Sequence, residues 1–243
     1  MKENKYDNPA FFDQYEQMLR SQLGLEGAGE WHALKNMLPD IKGKKTLDLG
    51  CGFGWHCRYA KENGAKSVIG IDLSEKMLAK AKEINNLEGI HYERKALEDV
   101  EYPAEKFDLV LSSLTLHYVE SFDALAQNIY HWLVSGGHFV FSVEHPVFTA
   151  EGGQDWVYDK DGEKVCWPVD QYFIEGKRNT TFLGENVIKY HRTLTSYLNT
   201  LLKHGFKIKE IIEPEPSHNM LKEIPEMKDE LRRPMMLLIS VGK

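Results

Sequence analysis

The run Asp48-Leu49-Gly50-Cys51-Gly52-Phe53-Gly54 forces a sharp turn at the end of a short apolar segment, Thr46–Leu49. A single acid, Asp72, closes the next apolar segment, Ser67–Ile71. Gly50 and Gly52 let the backbone bend and approach a ligand more closely than any Cβ would permit, while Gly54 lets the following helix pack tightly on the sheet. The spacing discriminates between ligands. A dinucleotide site favours Gly-x-Gly-x-x-Gly with a pyrophosphate resting on a helix N-terminus. Here the order is Asp-x-Gly-x-Gly-x-Gly. Asp72 lies 22 residues after Gly50, where a carboxylate accepts two ribose hydroxyls and would reject a 2′-phosphate.

Hydrophobic periodicity predicts strands alternating with helices around this turn. After the first strand, Thr46–Leu49, a helix over Trp55–Asn63 ends at Asn63-Gly64, a good C-cap pair. The second strand is Ser67–Ile71, and Ser74 caps a helix holding Met77, Leu78, Ala81 and Ile84. Ile90–Glu93, Phe107–Leu111 and His138–Val143 read as further strands, with a helix over Phe122–Leu133 and the Gly136-Gly137 turn before the fifth strand. Thr193–His204 is another amphipathic helix, Phe206–Ile212 a sixth strand and Met235–Val241 a seventh. The rhythm implies an α/β fold with a doubly wound, seven-stranded, mostly parallel sheet, whose strand C-termini share one edge where ligands bind. Two helices, Pro9–Leu23 and Trp31–Leu38, precede it as a lid or flank. From Pro146 to about Arg192 the pattern breaks into glycines and aromatics, among them Trp156, Trp167, Tyr172 and Phe182, which predicts an insertion over the ligand edge. The expected divisions are an N-terminal helical lid over 1–40, a ligand-binding core over 41–145, an aromatic-rich substrate cap over 146–192, and the rest of the core over 193–243.

The glycine pattern with its two acids resembles motif I of the class I S-adenosylmethionine (SAM) methyltransferases, and the order of elements resembles that family's Rossmann-like sheet, whose last strand runs antiparallel beside the sixth. The specific likeness covers roughly residues 42–145. It implies SAM as cofactor and S-adenosylhomocysteine as product, with Asp48 facing the methionine ammonium, Gly50, Gly52 and Gly54 forming the cradle, and Asp72 on the ribose. Leu73 and Met77 would sandwich the adenine. The Lys95–Asp99 segment corresponds to the adenine-binding loop, where Ala96 stands in place of the usual polar residue. The backbone N–H of Leu97, or a shifted Glu98 or Asp99, would then serve the ring. After the fourth strand, Ser112-Ser113-Leu114-Thr115-Leu116-His117-Tyr118 lacks the Asn/Asp-Pro-Pro-aromatic turn of the DNA amino methyltransferases and is similar to the small-molecule, quinone-biosynthesis-like branch. Ser112 and Ser113 would border the cofactor.

SAM carries its own activated methyl group, so the protein's task is orientation, worth roughly 7–11 kcal/mol when the reacting atoms are aligned. A base is needed only if the acceptor must lose a proton early. His117, Glu144 and His145 follow strands on the correct edge and are the candidates. His56 is expected near the methionine end. Arg192 is expected to bind a substrate carboxylate, close the lid, or pair with Glu185 or Asp170. The ten histidines are scattered without ligand spacing, so no metal is expected.

A net charge of −7 disfavours a nucleic-acid partner. No apolar run reaches spanning length, and three cysteines without a C-x-x-C pair suit reduced thiols, so a cytoplasmic protein without membrane insertion is expected, as monomer or homodimer. The leading expectation is a SAM-dependent methyltransferase that acts on a small, aromatic or hydrophobic acceptor at O, N or C. The alternatives are an RNA or protein methyltransferase, a SAM-binding protein without methyl transfer, and a nicotinamide-dependent reductase.

Overall fold

A computed structural model describes residues 4–243. Its centre is a seven-stranded sheet built from β1 (Lys45–Leu49), β2 (Ser67–Asp72), β3 (Ile90–Arg94), β4 (Phe107–Ser113) and β5 (Leu133–Glu144), with two later strands. Between β5 and those later strands lie β6 (Val157–Tyr158), β7 (Lys164–Cys166), β8 (Gly176–Phe182) and β9 (Glu185–His191), which pair as two separate antiparallel hairpins. The later strands, β10 (Lys207–Ile212) and β11 (Met236–Gly242), complete the order β10-β11-β5-β4-β1-β2-β3. Strands β1 to β5 are parallel, and β11 runs antiparallel between β5 and β10.

The helices are α1 (Pro9–Glu16), α2 (Leu19–Gln22), α3 (Trp31–Met37), α4 (Trp55–Glu62), α5 (Glu75–Ile84), α6 (Phe122–Trp132), α7 (Pro146–Thr149), α8 (Leu194–Lys203) and α9 (His218–Glu223). Several start where the sequence supplies a cap. Asn8 accepts from the N–H groups of Ala10 and Phe11 ahead of Pro9, and Ser74 accepts from Met77. Such a cap is worth about 1 kcal/mol over alanine. The two sheet faces bury separate cores. Val110, Phe139, Phe141 and Ile239 pack with α6 and α8 on one face, while Leu109, Leu111, Val140 and Leu238 pack with α3 and α4 on the other. The alternation along β4 and β5 is the period-2 signature of strands buried on both faces.

Three elements differ from the sequence reading. The first helix splits into α1 and α2 because Met18 is extended, with φ −66° and ψ 144°. The fifth strand starts at Leu133 rather than after the glycines, and the pair Gly136-Gly137 forms a bulge in it. The ladder steps from Phe107↔Leu133 to Leu109↔His138 across that bulge, with Gly136 at φ +77°. The connection between the last two strands, which reads from sequence only as a long link over Pro214–Arg233, carries α9 and a 3-10 segment, Pro225–Arg232. No helix among the described residues is long and apolar enough to cross a membrane.

Candidate active site

A cavity of about 490 Å³ opens over the C-terminal ends of β1 to β4, within the range of about 300–1,000 Å³ common for small-molecule sites. Its floor is the glycine turn. Gly50, Gly52 and Gly54 all have positive φ, at 77°, 52° and 77°, but each serves a different neighbour. A Cβ on Gly50 would lie 2.2 Å from the Thr115 hydroxyl, and one on Gly54 would lie 2.2 Å from the Tyr92 hydroxyl on β3. Those two positions are fixed by protein packing. A Cβ on Gly52 meets nothing within 4 Å, so its space belongs to the cavity. Gly52→Ala therefore should fold with a loss of about 1–2 kcal/mol for the left-handed backbone. A calorimetric titration should show nucleoside affinity falling further than that strain explains, and unchanged affinity would mean no ligand lies over the turn.

Asp72 ends β2 and lines the cavity. Oδ2 accepts from Gly52 N–H at 2.9 Å and Oδ1 from Ser74 N–H at 2.8 Å, so turn and helix start are tied through one carboxylate. Burial pushes its pKa up, and the two N–H groups oppose that. Each oxygen keeps a second lone pair for a hydroxyl donor. Leu73, Met77, Ala96, Leu97 and Glu98 line the same end, as the adenine region requires.

Asp48 stands elsewhere. It is 1% exposed beneath the turn, accepts from the Cys57 thiol at 3.3 Å, and does not line the cavity. Its Oδ1 has no hydrogen-bond partner among the described residues, and burial pushes the carboxyl up to about 7. Direct contact with an ammonium is therefore not what this geometry offers. Ser112 is likewise buried and donates to Leu49 O at 2.8 Å, whereas Ser113 lines the cavity.

The three candidate bases separate. His117 lines the cavity, is 2% exposed, and burial holds its pKa down to about 4 despite Glu144 nearby. Its Nδ1 accepts from Glu144 N–H at 3.4 Å, which leaves the ring proton on Nε2. In that tautomer the ring offers a donor, not a base. Glu144 also lines the cavity. Burial would raise its pKa, but His117, Lys189 and Gln154 hold it low, with Lys189 Nζ at 2.5 Å and Gln154 Nε2 at 2.8 Å. It is an anion at neutral pH. His145 does not line the cavity: Nδ1 caps Val147 N–H at 3.0 Å and Nε2 meets Glu213 at 2.7 Å. Arg192 makes none of its expected pairs. Its guanidinium is buried and donates to the carbonyls of Val119 and Glu120, since two nearby carbonyls satisfy it without a carboxylate.

The sequence reading expects the N-terminal segment as a lid and gives the 214–236 segment no part in the roof. Phe182 alone represents the 146–192 insertion among the lining residues; the roof instead comes from the N-terminal segment, with Tyr6, Tyr15 and Met18, and from the 214–236 segment, with Met220, Met227 and Met236. The insertion's aromatics turn to one another and to that second segment. Phe148 stacks on Trp167 at 4.8 Å, and the Arg233 guanidinium lies 4.2 Å from the Trp167 centroid. Glu30, just before α3, and Arg20, in α2, also reach the cavity.

A carboxylate for the ribose, apolar residues at the adenine end, and open space above Gly52 together fit an adenosine-bearing ligand without a pyrophosphate. Comparison with known proteins agrees. The family described as "Methyltransferase domain" matches residues 47–141. A putative S-adenosylmethionine dependent methyltransferase from Listeria monocytogenes shares 59% identity at a TM-score of 0.86, covering 90% of this chain and 99% of that one. An S-adenosylmethionine dependent methyltransferase from Mesorhizobium loti shares 47% at 0.84, covering 90% and 100%. An uncharacterized Haemophilus influenzae protein is 36% identical over 98% of this chain and 96% of its own length. With likeness running nearly end to end, the chain belongs to the class I S-adenosylmethionine-dependent methyltransferases.

Proposed function

We propose that this methyltransferase acts on a small molecule with a substantial apolar part, at oxygen, nitrogen or carbon. Names of relatives do not decide the acceptor. A malonyl-[acyl-carrier protein] O-methyltransferase and a phosphoethanolamine N-methyltransferase match at 34% and 35% identity, over only 51% and 47% of this chain. The chain's own walls carry the reading. The single supporting observation is the roofed cavity, in which the cofactor floor continues into a region lined by Met18, Met220, Met227, Met235 and Met236. Methionine side chains are unbranched and polarizable, and adapt to irregular apolar ligands.

Polar groups are few and sit at one side of that region. The Tyr6 and Tyr118 hydroxyls are 3.4 Å apart, beside neutral His117 and anionic Glu144. His117 would donate a hydrogen bond to one lone pair of an acceptor oxygen and leave the other free to attack the methyl carbon. Glu144 would stabilise positive charge developing on the acceptor, at low dielectric where such an interaction is strong. SAM, when bound, supplies the activated methyl group. The residues above orient the acceptor and exclude water.

Incubation with methyl-labelled SAM and a fractionated cell extract tests this. Label should appear in low-mass, organic-extractable products. Label confined to RNA or protein would overturn the proposal.

A further inference from the structure

The Arg20–Glu30 ion pair lies outside every motif of the fold, yet both side chains line the cavity. Arg20 Nη2 donates to Glu30 Oε1 at 2.6 Å, and the Ser113 hydroxyl donates to the same oxygen at 2.9 Å. Glu30 is 1% exposed, and its other oxygen, Oε2, is buried with no hydrogen-bond partner among the described residues. Burial alone would push this carboxyl up; Arg20 foremost holds it below the usual range, so it remains an anion. A buried anionic oxygen without a donor costs about 1–3 kcal/mol or more, and a deficit of that kind calls for an explanation. His56 does not supply the missing cation, because burial lowers its pKa to about 4.

Position supplies the explanation. Ser113 ends β4, which pairs with one side of β1, and Asp72 ends β2, which pairs with the other. The glycine turn lies between them. The two ends of the floor therefore differ chemically: hydroxyl acceptors on the β2 side, and on the β4 side a carboxylate oxygen lacking a donor next to a guanidinium. An α-amino acid group carries the complement of that second end, an ammonium and a carboxylate.

We propose that Arg20 and Glu30 together hold the amino-acid end of the cofactor, with Glu30 Oε2 accepting from the α-ammonium and the Arg20 guanidinium donating to the α-carboxylate. A guanidinium has five N–H donors in a planar fork suited to carboxylates, and the structure assigns one of them to Glu30. The inference rests on the adenosine lying at Asp72 and Gly52. Arg20 and Glu30 both belong to the N-terminal segment, so the roof would contribute directly to cofactor affinity.

Titration calorimetry of the full chain with S-adenosylhomocysteine and with 5′-methylthioadenosine, which shares the nucleoside but lacks the amino-acid group, tests this. Glu30→Gln and Arg20→Met should each weaken S-adenosylhomocysteine about 10- to 100-fold, the scale of one charged hydrogen bond, and leave methylthioadenosine within about threefold. Unchanged S-adenosylhomocysteine affinity, or equal loss of both ligands, would overturn the assignment. Hydrogen exchange on the unaltered protein needs no variant. Amides of residues 19–31 should be protected more by saturating S-adenosylhomocysteine than by saturating methylthioadenosine, and equal protection would overturn it. Binding of neither ligand by the unaltered protein would overturn the nucleoside site itself, and this inference with it.

Discussion

Replacing Asp72 with alanine is expected to weaken S-adenosylhomocysteine binding on the order of 100-fold. A carboxylate that accepts two hydroxyls makes two charged hydrogen bonds, and losing them costs about 3 kcal/mol, or two decades in affinity. A second loss adds to this. Asp72 also holds the N–H groups of Gly52 and Ser74, so the turn itself loosens when the carboxylate goes. Asp72→Asn keeps an acceptor and should fall between the two. The affinities are read by titration calorimetry, with circular dichroism confirming that each variant folds. An alanine variant within threefold of the unaltered protein would remove Asp72 from the cofactor site.

The second large effect is on stability in acid. Burial holds His56 and His117 neutral, with pKa values of about 4 against an ordinary 6.5. A histidine depressed in the folded state contributes fully above pH 6.5 and loses that contribution as the pH falls toward 4. At about 1.4 kcal/mol per unit, the pair forfeits on the order of 6 kcal/mol over that window. Asp48 works in the opposite direction. Its pKa is raised from 3.8 to about 7, so the native state takes up its proton first, and acid relieves about 4 kcal/mol of burial cost. The unaltered protein should therefore lose only about 2 kcal/mol between pH 7 and pH 4 from these three groups. Asp48→Asn removes the compensation. Its amide leaves one donor without a partner, which costs about 1–3 kcal/mol, so a net gain of about 1–3 kcal/mol is expected at neutral pH. The decline toward pH 4 should then be roughly three times as steep. Urea denaturation at pH 7, 5.5 and 4 reads both quantities. Parallel profiles for the two proteins would show that Asp48 keeps an ordinary carboxylate pKa in the fold.

The sheet and its ligand edge were legible because each depended on a local pattern. Asp72 could be placed from the run before it and the cap at Ser74 after it, and both lie within one strand-to-helix step. The glycine turn was legible as a turn, but the division of labour within it was not. Thr115, just after β4, and Tyr92, in β3, confine Gly50 and Gly54, and no local pattern announces those contacts. Arg20 and Glu30 were missed for a related reason. They sit on short irregular segments, where an arginine and a glutamate read as solvated charges, and only the break at Met18 turns them inward. The roof methionines at 220, 227 and 236 are spaced like ordinary core residues. In the insertion, aromatics over a ligand edge and aromatics packed on one another look identical in one dimension. His145 and Glu144 are neighbours in the chain, yet β5 ends at Glu144, which reaches the cavity, and His145 already caps α7.

Asp7 binds both the Ser74 hydroxyl at 2.6 Å and the Lys76 N–H at 3.1 Å. The same N-terminal segment that covers the cavity is thus clasped to the helix that begins beside Asp72. Lifting the cover would have to break both of those hydrogen bonds. The latch on the cavity thus sits some forty residues upstream of the glycine turn.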